Sequence, residues 1–207
     1  SVFSLSSIAK DRIGVSTILK DLSYINYIHT FPINTEIVTT KTYSGKSSSK
    51  VPAARIAGNV TLKTNTSFVL LPQEPMRART FDPRVGYFTE EFAEFNDQQQ
   101  NVKRRKVITR WRLVPKDEEA YKRGKLVEPE KPIVFYIDPA TPKQWRKYLI
   151  QGVEDWNKAF EVAGFKNAIR AYEWPNDSTM SLEDARYSVI RYLASDIPNA
   201  YGPHVSD

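Results

Sequence analysis

Cysteine is absent from all 207 residues, which excludes disulfides, thiolate zinc centres and cysteine nucleophiles. Histidine is scarce: His29 and His204 stand far apart with no H-x-x-x-H spacing, so histidines of this chain cannot assemble a metal centre. No D-x-D-x-D-G run marks a calcium loop, no glycine-rich turn a phosphate site, and no G-x-S-x-G elbow a serine hydrolase. No apolar run approaches the roughly 18–20 residues that cross a bilayer. No basic-then-apolar leader follows Ser1, and because Ser1 is not Met the chain reads as a processed or excised piece of a longer parent.

What is present suits a globular protein of one large domain or two small ones, 41% hydrophobic and 26% charged. The net charge of +6 keeps a polyanion among the candidate partners.

Along the chain, residues 16–29 ("STILKDLSYINYIH") place Ile18, Leu22, Ile25 and His29 at helical spacing and predict a short helix, with His29 as a capping or partly buried residue. "NTEIVTTKTYS" and "RIAGNVTLKTNTSFVLLP" are β-branched and alternating, and predict an antiparallel hairpin around the exposed loop "GKSSSKVPA". Val60, Leu62, Phe68 and Leu70 share one parity, giving the second strand an apolar face. A proline-rich connector with a turn at Asp82-Pro83 follows, then a weakly helical spacing of Phe88, Phe92 and Phe95, then the strand-like "VKRRKVITRWRLVP".

A charged hinge spans 116–131 and separates a β-rich domain, 1–115, from a second part, 132–207. That part opens on the apolar run "PIVFYIDP", a buried strand. A long helix is expected next, with Thr141 as N-cap, Pro142 at the first position, Gln144 completing a capping box and Gly164 as the stop. Its stripe is Trp145, Leu149, Val153, Trp156, Phe160 and Ala163. Lys143, Arg146 and Lys147 crowd its N-terminus, against the preference of the helix dipole. "NAIRAYEWP" and "YSVIRYL" are two further strands. The fold class is α+β: a β-rich N-terminal domain with a hairpin, then a strand–long helix–strand unit of α/β type.

Residue by residue, the chain holds no complete active site. Glu90-Glu91 and Glu154-Asp155 are adjacent pairs whose side chains would diverge on a helix. Asn59, Asn65 and Asn176 each open an Asn-x-Ser/Thr triplet, a pattern frequent by chance. Lys103, Arg104, Arg105, Lys106, Arg110 and Arg112, with Trp111 among them, form a basic segment that could meet phosphates and stack a base. These cations fall on both parities of a strand and have acidic neighbours, so a solvated or ion-paired strand is the plainer reading. A non-catalytic module binding a nucleic acid or acidic glycan through residues 103–112 is the alternative function; nucleic acid is not the expected partner.

Several segments resemble one family. "FVLLPQEPMRARTFDPRVGYF", "VITRWRL", "KPIVFYIDPATPKQWRKYLIQGVEDWNKAFEVAGFKNAI" and "PNAYGPHVSD" look like the large zinc-dependent metalloproteases of Bacteroidetes, in which a β-rich domain of uncharacterised function precedes a metzincin-like catalytic domain. The resemblance runs from about Asp21 to the end and is densest over residues 132–169. "GVEDWNKAFEVAGF" is also similar to the opening of metzincin domains, where a strand leads into a long helix carrying Trp-Asn and then Phe.

The resemblance implies peptide hydrolysis by zinc-activated water in a full-length parent, in the periplasm, at the outer membrane or outside the cell. The family's zinc signature, H-E-x-x-H-x-x-G-x-x-H, is missing here, so 132–207 reads as the first half of a catalytic domain, with no catalytic or metal residue and no cofactor of its own. By position, Ala200, Tyr201, Gly202, Pro203 and His204 would begin the edge strand on which substrate pairs. The implied partners are a protein or peptide substrate and the other half of the catalytic domain. The apolar surface of this half-domain is expected to be covered by the N-terminal domain or by a second copy in a homo-oligomer.

Overall fold

A computed structural model describes residues 4–177, 179–195 and 199–202. The chain divides into two compact units, Ser1–Leu70 with Glu183–Arg186, and Leu71–Leu182 with Tyr187–Asp207. The expected hinge, 116–131, lies within the second unit.

The first unit is a three-stranded antiparallel sheet, β1 (Val15–Thr30), β2 (Asn34–Gly45) and β3 (Asn59–Val69), in the order β1-β2-β3. β2 and β3 form the hairpin expected from their alternation, in unbroken register from Asn34↔Val69 to Ser44↔Asn59. Pairing puts Val60, Leu62 and Phe68 on one face, opposite Tyr43, Lys41 and Thr35. Its Tyr43 end is closed by a core of Val15, Tyr43, Ala54 and Val60. Helices α1 (Ser7–Ile13) and α2 (Pro52–Ile56) flank that end; Ser6 caps α1 by accepting from Ala9 N at 3.2 Å.

Residues 16–29 are strand, not the helix their spacing predicts. The physical reason lies in the pairing with β2, whose register shifts three times, between Val15 and Ile18, Leu19 and Tyr24, and Ile25 and Tyr27. Each irregularity breaks the two-residue period, so the apolar residues of a strand take on helix-like intervals. His29 consequently sits exposed on a strand, opposite Glu36, with its ring 4.3 Å from that of Phe31.

In the second unit, β4 (Thr89–Glu94) and β5 (Lys103–Ile108) form an antiparallel pair, so the helical spacing of Phe88, Phe92 and Phe95 also misleads. Helix α3 (Glu118–Lys122), capped by Asp117 accepting from Ala120 N, rests on a core of Ala120, Val127, Phe165 and Ala168. Strands β6 (Ile133–Ile137), β7 (Ile169–Glu173) and β8 (Ser188–Ile190) make a parallel sheet in the order β7-β6-β8.

The crossover from β6 to β7 is two helices, α4 (Lys143–Glu154) and α5 (Asn157–Val162), rather than one. At the break Trp156, Lys158 and Ala159 donate to the carbonyls three residues back. Asn157 is drawn onto β7, donating to Ile169 O at 2.8 Å and accepting from Ile169 N at 3.2 Å. The expected capping box does not form: Pro142 is the N-cap, without a side-chain cap bond, and Thr141 is buried. Gly164 does end the second helix, with φ at +91°, and a Cβ there would lie 2.6 Å from the Tyr121 ring.

Candidate functional site

In open sheets with parallel strands, sites form beyond the carboxyl ends of the strands, where successive connections leave in opposite directions. β6 is that point here, with β7 on one side and β8 on the other. Asp138 follows it directly and is only 3% exposed. It accepts from Ala140 N at 2.8 Å, Arg191 Nε at 2.8 Å and Tyr192 N at 3.3 Å. Burial alone would raise the Asp138 carboxyl, but the Ala140 and Tyr192 amides and the Arg191 guanidinium outweigh it and hold it below its ordinary value. A carboxylate so occupied is a structural anchor: it joins the end of β6 to the segment leaving β8.

Arg146 performs the matching task on the β7 side. Its guanidinium donates to Thr141 O, to Pro139 O and to Glu173 Oε2, each at 2.8 Å. This accounts for one cation at the start of α4: it satisfies loop carbonyls and a β7 carboxylate.

Beside these anchors runs an apolar groove of about 590 Å³. Leu149, Val153 and Trp156 of the helical crossover form one wall, Phe135 and Ile190 of the sheet the floor, and Trp111 an end. Trp111 meets Phe135 edge-on at 5.8 Å. The stripe expected to be a helix's core face is therefore open: no residue of α4 is buried, and Trp156 is 64% exposed. Gly152 lines the groove in the middle of α4, and a Cβ there would meet nothing within 4 Å.

Of the residues expected to face substrate, Ala200, Tyr201 and Gly202 are exposed and outside any strand, while Pro203 and His204 lie outside the described residues. Among the described residues no three of His, Asp and Glu gather as a metal centre. No helix among them is long and apolar enough to cross a membrane. In the basic segment, Arg104 and Lys106 pair with Glu91 at 3.0 and 3.4 Å, and Arg105 with Glu94 at 2.5 Å. Arg110 and Arg112 donate to the carbonyls of Arg77 and Glu74. These charges are largely answered within the unit, on both faces of the hairpin.

The anchoring roles of Asp138, Arg146 and Arg191 escape sequence reading. The one available signal was the position of Asp138, directly after an apolar run whose strand is parallel.

The sequence profile of a family described as "Domain of unknown function (DUF5117)" matches residues 1–116, more than half of the chain. The chain belongs to the DUF5117 family. No curated protein and no solved structure matches it. The DUF5117 match takes in β1 through β5 and stops before β6, so Asp138, Arg146 and the groove lie outside the matched region.

Proposed function

We propose that this DUF5117 chain is part of a zinc-dependent metalloprotease, with residues 132–207 the first half of a metzincin-like catalytic domain and no catalysis of their own. The reading rests chiefly on one observation: a strand, a helical crossover carrying Trp156-Asn157 and Phe160, and two further strands share one parallel sheet whose helix-side groove is open. That is the order the resemblance implies for the opening of such a domain, and parallel sheets are ordinarily covered on both faces. Asn157 has a physical task in this arrangement, since its side chain ties the crossover to the Ile169 backbone.

The described residues do not fit a zinc ion: no three potential ligands converge, and Asp138 is consumed by two amides and Arg191. No hydrolytic step is therefore assigned to this chain, and the zinc ligands are placed elsewhere in the parent. The open groove is the surface on which the remainder of the catalytic domain would pack. Residues 200–204 retain their proposed place at the entry to the substrate-facing edge.

The test is a peptidase assay of the isolated 207 residues with and without added zinc. No turnover is expected in either case. Zinc-dependent cleavage by the isolated chain, abolished by His204→Ala, would overturn the reading. The polyanion alternative is separable: salt-sensitive retention on heparin that disappears in an R104A/R105A variant would support it, whereas the ion pairs of Glu91 and Glu94 lead us to expect none.

A further inference from the structure

The outer strands of the first sheet, β1 and β3, each have one side without a neighbouring strand, and they guard it differently. β1 is interrupted by three register shifts, the kind of irregularity that keeps an edge from accepting another strand. β3 pairs with β2 in unbroken register, contains no proline and carries one charge, Lys63.

The ladder itself shows which groups of β3 face outward. Leu70 N donates to Ile33 O at 2.7 Å at one end, and Gly58 O accepts from Gly45 N at 2.7 Å at the other. In unbroken register the even-numbered residues therefore turn their backbone groups to β2, and the odd-numbered ones turn theirs away from it. Among the described residues no hydrogen bond reaches the outward backbone of Thr61, Lys63, Asn65, Ser67 or Val69. All five are exposed, yet the strand is held extended. Asn65 Nδ2 and Ser67 Oγ donate to buried Glu36 at 2.5 and 2.6 Å, and the Thr61 and Thr42 hydroxyls meet at 2.9 Å. A strand added here would find the edge already ordered.

One occupant matches this edge in both charge and side chains: β3 of another copy. Set antiparallel about a two-fold axis at Asn65, the strands place Lys63 opposite Ser67 and Thr61 opposite Val69. Leu62 then faces Phe68 on each side of the axis, in the non-hydrogen-bonded pairs whose side chains approach closest. The two Lys63 side chains stand about 13 Å apart along the strands, beyond the screening length of about 8 Å. Neighbouring registers fit less well. An axis at Lys63 would set the two lysines directly opposite each other, and one at Thr64 would put Leu62 against Thr66 and halve the lysine separation.

We propose that β3 is a dimerisation edge, on which a second copy of this chain continues the first sheet antiparallel across a two-fold axis at Asn65. The edge lies within the DUF5117 match and in the first unit, whereas the apolar groove belongs to the second. It is independent of the protease reading and would operate whatever the parent's chemistry.

Hydrogen exchange on the 207-residue chain, dilute and concentrated, with sedimentation alongside, tests it. The concentrated chain should sediment as a dimer. The backbone amides of Lys63, Asn65 and Ser67 should then exchange about tenfold slower or more than in the dilute chain, each having gained roughly one hydrogen bond. Those of Leu62, Thr64 and Thr66, which bond to β2, should be protected at both concentrations. Lys63→Pro removes one outward N–H and no bond to β2, so it should stay folded and sediment as a monomer. The proposal is overturned if the chain is monomeric throughout or if it dimerises with the outward amides still fast. It is overturned equally if those amides are already slow in the dilute monomer, since another segment would then cover the edge. Should Lys63→Pro unfold the sheet, the exchange series on the unsubstituted chain decides by itself. None of these outcomes bears on peptidase activity.

Discussion

Glu36, in the middle of an antiparallel strand, and Asp138, just past a parallel one, are both nearly wholly buried, yet only Asp138 has a cation beside it. The sheets explain the difference. Alternation gives the antiparallel sheet one polar face, so the strand opposite Glu36 can supply Asn65 and Ser67 as donors. The parallel strand β6, "IVFYI", carries no Asn or Ser to play that part. Its carboxylate must sit where the ladder ends and backbone amides are released, and Arg191, directly after the neighbouring strand β8, completes the shell. Burying a carboxylate thus has two solutions here, one made of neutral side chains and one of amides plus a half-exposed guanidinium.

The largest effect should come from breaking the neutral solution. Glu36→Gln places an amide N–H₂ against the amide of Asn65 and leaves buried donors unanswered, at a cost of about 2–3 kcal/mol. Asp138→Asn keeps an acceptor for the amides, and Arg191 can turn to water, so about 1–2 kcal/mol is expected. Urea denaturation of both variants checks the order; a larger loss from Asp138→Asn would erase the distinction.

Acid should affect both sites in the same direction. Neutral donors hold Glu36 below its ordinary value of 4.5 despite burial, and Asp138 is held below 3.8. Both carboxyls bind protons more readily in the unfolded chain, so stability rises with pH through this range. It is full above about pH 5 and declines as pH falls through 4.5 and 3.8 toward the lower native values. Midpoints from denaturation between pH 3 and 6 should follow that course, with a shallower acid slope in Glu36→Gln; an unchanged slope would mean that Glu36 is not held low.

Surface pairs supply the small end of the scale. Arg104 is 79% exposed where it meets Glu91, so Arg104→Ala should change stability by less than about 0.5 kcal/mol in a thermal melt. A larger loss would show that the β4–β5 hairpin depends on its charges as the buried carboxylates depend on their donors.

How far the sequence could be read follows the same divide. The hairpin of β2 and β3, the strands β6, β7 and β8 and the stop at Gly164 were all legible, because each rests on a period or a local signal that the structure keeps. β1 was not, because three register shifts disguise its alternation. The helical crossover was legible in extent but not in its break, which Asn157 helps to set through bonds to Ile169, a long-range contact without a local signature. The same holds for the Asp138–Arg191 and Asn34–Ala185 contacts, which join residues 53 and 151 positions apart. The parallel strands could be read one by one, but no feature of their sequence announced that Asp138 would be shielded by Arg191.

The proposal to be tested is that the open groove and parallel sheet are part of a catalytic domain whose remainder lies outside these 207 residues. The direct measurement is hydrolysis of a denatured protein substrate by the full-length parent and by this chain, each with and without zinc. The account predicts chelator-sensitive cleavage by the zinc-loaded parent and none by the 207 residues. A folded, zinc-treated parent that cleaves no peptide bond, or an isolated chain that cleaves as well as the parent, would contradict it.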